Sequence, residues 1–351
     1  MHQFPQDRNL PIEKLAACFN NTSASYKFYW LLSIIDSLEV RLESHSKIIS
    51  KKELFARMIS NAWYTVNYFH VSFGKQDKLQ SAIELIKNSE GLSIDANKND
   101  IIKKLLNTEN TITIRALSQF NNNVPHWFLS PWFQGDDRNS IYKKSKQFLL
   151  CCPYSLDIDF IEVDIKWADY FLLNAPFIRD FCYWNLALFL QVKNPNVPDI
   201  ANKLVKPASR NNLIKQRKFW DIVIDELGSV ECIYTKRQLE KGDFAVEHFI
   251  PYSFVSHDLI WNLIPAEKKF NNSKSDKLPS LNKYFEPFFI LQLTAINIVR
   301  QREPRNKLLE EYLIILNDID NIDEAIIKNK LRDTIQPLIT LAANNGFEYL
   351  M

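Results

Sequence analysis

The alternation of apolar and polar positions predicts helices over most of the chain. After Ser23, a favourable N-cap, the run to residue 44 places Phe28, Leu31, Leu32, Ile35 and Leu38 on one helical face. The same spacing recurs at 51–70 and 77–88, and more weakly near 97–107 and 109–120. The stretch NNNVPHWFLSPWFQGDD is rich in turn residues and reads as a loop, with a short helix expected near 139–150. LDIDFIEVDIKWADYF is mixed, and its first half is left unassigned. A long apolar helix is then expected from about Lys166 to Val192, ended by NPNVPD because its prolines cannot continue a helix. Residues 208–227 predict another helix, closed by Gly228.

Beyond Gly228 the period shortens. Residues 230–235 (VECIYT) and 244–250 (FAVEHFI) are short and β-prone, with Lys241-Gly242-Asp243 as the turn between them. WNLIP is a second extended piece, AEKKFNNSKSDK predicts a short helix, and residues 283–301 and 306–342 return to helix. No internal repeat, Walker A loop or GxGxxG motif is present.

Composition supports a mainly helical fold. Six glycines in 351 residues are too few for the tight turns of an all-β or doubly wound chain of this length. The net charge of +2 excludes a general polycation, so contact with nucleic acid would have to come from local clusters. The five cysteines form no CxxC pair, which argues against a disulfide framework and for a reducing, cytoplasmic setting. The N-terminal MHQFPQDRNLPIEK lacks the apolar run of a secretory signal. Arg179 and Asp180 interrupt the most apolar stretch, Tyr170 to Val192, so no membrane partner is expected.

Residues 246–279, VEHFIPYSFVSHDLIWNLIPAEKKFNNSKSDKLP, carry the chemistry. Glu247 and His248 are adjacent, Asn262 and Asn271 follow in order, and a lysine-rich tail closes the segment. Hydrolysis of a phosphodiester needs an activated water and stabilisation of a departing alkoxide. Histidine suits the first task, with its pKa near neutrality. A hard divalent cation suits the second, and Mg²⁺ needs only one or two protein oxygens because it keeps several waters. Glu247 and Asn271 can supply those oxygens. Neighbours on a strand point to opposite sides, so Glu247 and His248 share a site only if the strand end twists or bends. The Asn262 amide can hydrogen-bond the backbone around His248 and pin the intervening loop.

This stretch resembles the HNH endonuclease family, whose ββα-metal module runs strand, long loop, strand, helix. The pattern is most similar to the HNH domain of type II CRISPR effector nucleases, which share the succession VDH…P.SF…N…N…KSD. The resemblance implies His248 as general base, Asn262 as the structural asparagine of the catalytic set, and Glu247 and Asn271 as ligands of Mg²⁺ or Mn²⁺. Two departures stand out. Glu247 replaces the family's frequent aspartate. Cys232 keeps one cysteine of the zinc-binding pairs found in many members, while Glu267 and Phe270 stand where the second pair would be, so no structural zinc is expected.

The basic residues around the module, Lys268, Lys269, Lys274 and Lys277, are candidates for phosphate contact, as are Arg210, Lys215, Arg217 and Lys218 in the acid-free run before it. An ordinary solvated helix face explains that run as well. Asp157, Asp159, Glu162 and Asp164 read as a solvated edge or helix start rather than a second metal site. Trp127, Trp132 and Trp261 read as core rather than base-stacking residues.

The expected architecture is a mainly α protein with a small inserted ββα-metal module. Residues 1–150 form a helical domain for target or partner recognition, 151–229 a helical bridge, 230–280 the nuclease module, and 281–351 C-terminal helices packed on it. The expected activity is metal-dependent hydrolysis of DNA, one nick per active site, with a double-strand cut needing a homodimer, a partner protein or a second event. By family analogy the role is anti-phage defence or restriction. A non-catalytic nucleic-acid-binding subunit and an RNA-cleaving enzyme remain the alternatives.

Overall fold

The computed structural model describes residues 4–350 except 21, 44–45, 207–211, 317 and 320–322. The described residues are mainly helical with three small sheets, and the chain's contacts divide it into two units. The first comprises Met1–Pro195 with Ile200–Lys206; the second comprises Asn196–Asp199 with Pro207–Met351. The segment expected as a bridge therefore contributes to both units.

In the first unit the helices are α1 (Ile12–Ala17), α2 (Tyr26–Val40), α3 (Lys51–Asn67), α4 (Lys78–Glu90), α5 (Lys98–Leu106), α6 (Thr111–Ser118), α7 (Pro125–Phe128), α8 (Arg138–Ser145), α9 (Ile165–Leu173) and α10 (Ala175–Lys193). Their starts follow from side-chain caps. Ser50, Asp77, Asn97, Asn110, Asp137 and Asp164 each accept a hydrogen bond from a first-turn N–H that would otherwise lack a partner. Helix α2 is buried nearly all round and forms the core, with α3, α9 and α10 packed against it. Trp30 donates to the Tyr154 hydroxyl at 3.0 Å, and that hydroxyl donates to the Pro125 carbonyl at 2.7 Å, so these two buried groups are satisfied.

Two expectations for this unit change. The unassigned first half of LDIDFIEVDIKWADYF is a strand region: β2 (Tyr154–Leu156) and β3 (Phe160–Val163) pair antiparallel, and β1 (Ile48–Ser50) adds to the far side of β3. The expected single helix from Lys166 to Val192 is two. It breaks at Asn174, because Pro176 has no N–H to give to the Leu172 carbonyl. Asp157 pairs with Lys146 and Asp164 caps α9, so these acids serve local structure.

The second unit holds α11 (Ile214–Leu227), β4 (Val230–Glu231), β5 (Gln238–Leu239), β6 (Ala245–His248), α12 (Tyr252–Val255), β7 (Leu263–Ala266), α13 (Lys268–Lys274), α14 (Leu281–Arg302) and α15 (Glu324–Asn344). The helix expected over 208–227 begins at Ile214 among the described residues. The helix expected over 306–342 is instead a 3₁₀ segment, Lys307–Ile314, followed by α15, which Asp323 caps. The two β-prone segments also do not pair with each other. Lys236, with φ of 63°, turns the chain back early, so β4 pairs with β5, while β6 pairs with β7 across a long loop. Among the described residues no helix is long and apolar enough to cross a membrane.

Candidate active site

Strand β6 and strand β7 are antiparallel, with Glu247 opposite Ile264 and His248 opposite Leu263. β7 is buried along its whole length, so register is fixed by its apolar side chains. Helix α13 follows at once and packs against β6. The order strand, loop, strand, helix is complete within 245–274.

Asn262, fully buried at the head of β7, closes the loop. Its Oδ1 accepts from the Ile250 N–H at 2.8 Å and its Nδ2 donates to the Ile250 carbonyl at 2.9 Å. The Asn262 carbonyl also accepts from the Phe249 N–H. One side chain thus imitates a strand partner for the residues just past His248, where the regular ladder has ended.

His248 is the last residue of β6, and its side chain is 13% exposed. Its Nε2 lies 2.9 Å from Oδ1 of Asp258, a loop residue that sequence reasoning passed over. An ionised carboxylate only accepts, so Nε2 is the donor to Asp258 when that group is ionised. The Tyr252 ring meets the imidazole edge-on at 5.5 Å between centroids. The backbone around Asp258 is held in turn: Gln216 donates to the Asp258 carbonyl at 3.1 Å, and Glu311 accepts from the Ile260 N–H at 2.6 Å. Burial raises the Glu311 carboxyl, and nearby Asp258 adds to this, against the lowering effects of that N–H and of Lys215.

Glu247 points to different company. It is 5% exposed, and its Oε1 receives the Lys274 ammonium at 2.5 Å. The same ammonium donates to the His248 carbonyl at 2.8 Å. Lys274 is wholly buried in this structure. Asn271 lies one turn earlier on α13, on the face that Lys274 turns toward β6. Among the described residues no three His, Cys, Asp or Glu side chains form a metal-binding group. The oxygen donors expected of the site are the Glu247 carboxylate and the Asn271 amide. Hard oxygens of this number suit a divalent cation that keeps most of its waters.

The remaining basic residues are distributed unevenly. Lys215 and Lys218 are exposed and line a cleft of about 690 Å³ with Lys241, Lys307 and several acids. Arg217 turns inward, donating to the Phe244 carbonyl and lying 4.8 Å over the Phe244 ring. Lys268 is tied to the Gly242–Asp243 turn, whereas Lys269 is exposed and Lys277 partly so. Arg210 lies outside the described residues. Trp132 and Trp261 are buried, but Trp127 is 53% exposed. Cys232 is buried in the β4–β5 turn, and Tyr234 from that turn stacks on Phe270 of α13 at 4.6 Å.

The strand, loop, strand, helix order of 245–274 is that of a small ββα module. Residues 232–280 match the HNH endonuclease family model. No curated protein and no solved structure matches the chain.

Proposed function

We propose that the module hydrolyses DNA phosphodiester bonds, with His248 as general base. The observation that carries this reading is the bond between His248 Nε2 and Asp258 at 2.9 Å. It holds the ring, and with Nε2 donating to Asp258 the neutral imidazole would present Nδ1 to take a proton from an attacking water. As the water oxygen bonds to phosphorus, the P–O3′ bond breaks, giving a 5′-phosphate and a 3′-hydroxyl. Glu247 and Asn271 would hold Mg²⁺ or Mn²⁺, which when bound neutralises charge on the departing 3′ oxygen. Asn262 keeps the His248 end of the strand in register with the loop bearing Asp258. Lys215, Lys218, Lys268, Lys269 and Lys277 are the cations available to the phosphate backbone, with Arg210 and Arg217 as further candidates.

One module carries one site, so each binding event yields a nick, and defence against foreign DNA or restriction is the role that fits such an activity. The test is a supercoiled-plasmid assay with Mg²⁺ or Mn²⁺. Wild type is expected to produce open circles, and His248→Ala or added EDTA to abolish them. Equal behaviour of wild type and His248→Ala would remove the enzymatic reading. The buried Glu247–Lys274 pair is the observation that favours the second reading, a binding subunit whose cutting has been lost. Labelled RNA in the same assay separates the two nucleic acids.

A further inference from the structure

Glu247 is the one anionic candidate ligand of this site, yet its charge is already matched. Lys274 has no exposed surface, and its ammonium rests on Glu247 Oε1 and the His248 carbonyl. Both acceptors sit on β6, while Lys274 and Asn271 sit on α13. Among the described residues nothing hydrogen-bonds Glu247 Oε2, so one carboxylate oxygen is committed to lysine and the other is left over.

We propose that Lys274 is a positioning residue that sets the strength and timing of metal binding. It ties α13 to β6, and so fixes the separation of Glu247 and Asn271. It also commits one carboxylate oxygen, Oε1, to the lysine and leaves Oε2 without a hydrogen bond among the described residues. Its positive charge offsets that of Glu247, so a divalent cation must bind against a resident cation only a few ångströms away. A scissile phosphate brings the missing negative charge. The site therefore holds metal weakly when empty of nucleic acid and fills when a phosphodiester arrives. A buried lysine cannot swing out to solvent to relieve the repulsion, since its four-carbon stem and its ammonium are both enclosed.

This inference rests on Glu247 being a metal ligand, and the experiment separates the two claims. Free Mn²⁺ is followed by electron paramagnetic resonance in titrations of the full chain without nucleic acid. Four proteins are compared: wild type, Lys274→Met, Lys274→Gln and Glu247→Gln, each checked by circular dichroism. Both lysine variants are expected to bind Mn²⁺ more tightly than wild type, by about tenfold or more, because a charge that opposes the ion is gone. In the His248→Ala background, adding duplex DNA should tighten Mn²⁺ binding to the Lys274-containing protein more than to Lys274→Met. A purely structural lysine would leave affinity unchanged or weaken it, and that result overturns the proposal. Loss of fold in both lysine variants overturns it as well, since the pair would then serve stability alone. If Glu247→Gln binds like wild type, the ligand assignment itself fails.

Discussion

At the residue scale, the site depends on a few polar contacts that cannot be replaced in kind. Asp258 acts on His248 through a single hydrogen bond, so Asp258→Asn should keep the fold while weakening tautomer control. The expected loss in cleavage rate is on the order of ten- to a hundredfold, as for other orienting partners. An unchanged rate with an unchanged melting temperature would show that the ring needs no such partner. Asn262→Asp is a sharper probe than alanine, because it retains an acceptor for the Ile250 N–H but loses the donor to the Ile250 carbonyl. An unpaired buried acceptor and a new buried charge should cost about 2–3 kcal/mol or more, read from chemical denaturation.

At the element scale, strand β6 and helix α13 meet through a buried ion pair. Removing one partner of such a pair leaves the other charged and enclosed. Glu247→Ala should therefore destabilise the protein by about 3–5 kcal/mol, while the double change of Glu247 and Lys274 to apolar residues of similar volume should recover most of it. Equal losses in the single and double variants would mean that packing, not charge, sets the cost. The ring stack of Tyr234 on Phe270 supplies a second, apolar join between the β4–β5 turn and α13. These joins explain why α13, with only seven residues and no side-chain cap, is helical at all: tertiary contacts supply what its length cannot.

At the scale of the whole molecule, acid should act first on buried groups of the N-terminal unit. His126 is 4% exposed, and burial, reinforced by Arg138 and Lys51, pulls its pKa down to about 4. In the unfolded chain the same imidazole titrates near 6.5. Between those values the unfolded state binds a proton that the folded state refuses, so stability falls as pH drops through this window. Burial alone would raise the carboxyls of Asp36 and Glu53. Lys98 and Arg179 at Asp36, and Arg41 and Arg57 at Glu53, outweigh it and hold both below the ordinary carboxylate range. Their stabilisation is complete above the ordinary carboxylate pKa and is lost as pH falls through the lowered values. Melting temperature should therefore decline in two stages on acidification. His126→Gln should flatten the stage between about pH 6.5 and 4 only; an unaltered upper stage would count against this assignment.

The order of Glu247, His248, Asn262 and Asn271 was legible in the chain because a ββα unit builds its site from one short, contiguous segment. The helical majority was legible too, since apolar residues at helical spacing and Asn, Asp or Ser caps are local signals. Strand partners were not: β-prone 230–235 and 244–250 looked like one hairpin, and only the turn at Lys236 and the buried β7 redirected each to another strand. The partners of the site were hidden for the same reason. Asp258 reads as an ordinary loop acid and Lys274 as an ordinary surface cation, because charge type is written in sequence but burial is not. Local pattern fixes which side chains are near in the chain. Packing of α13 on β6, and of the loop on His248, decides which charges leave water and therefore which of them act on one another.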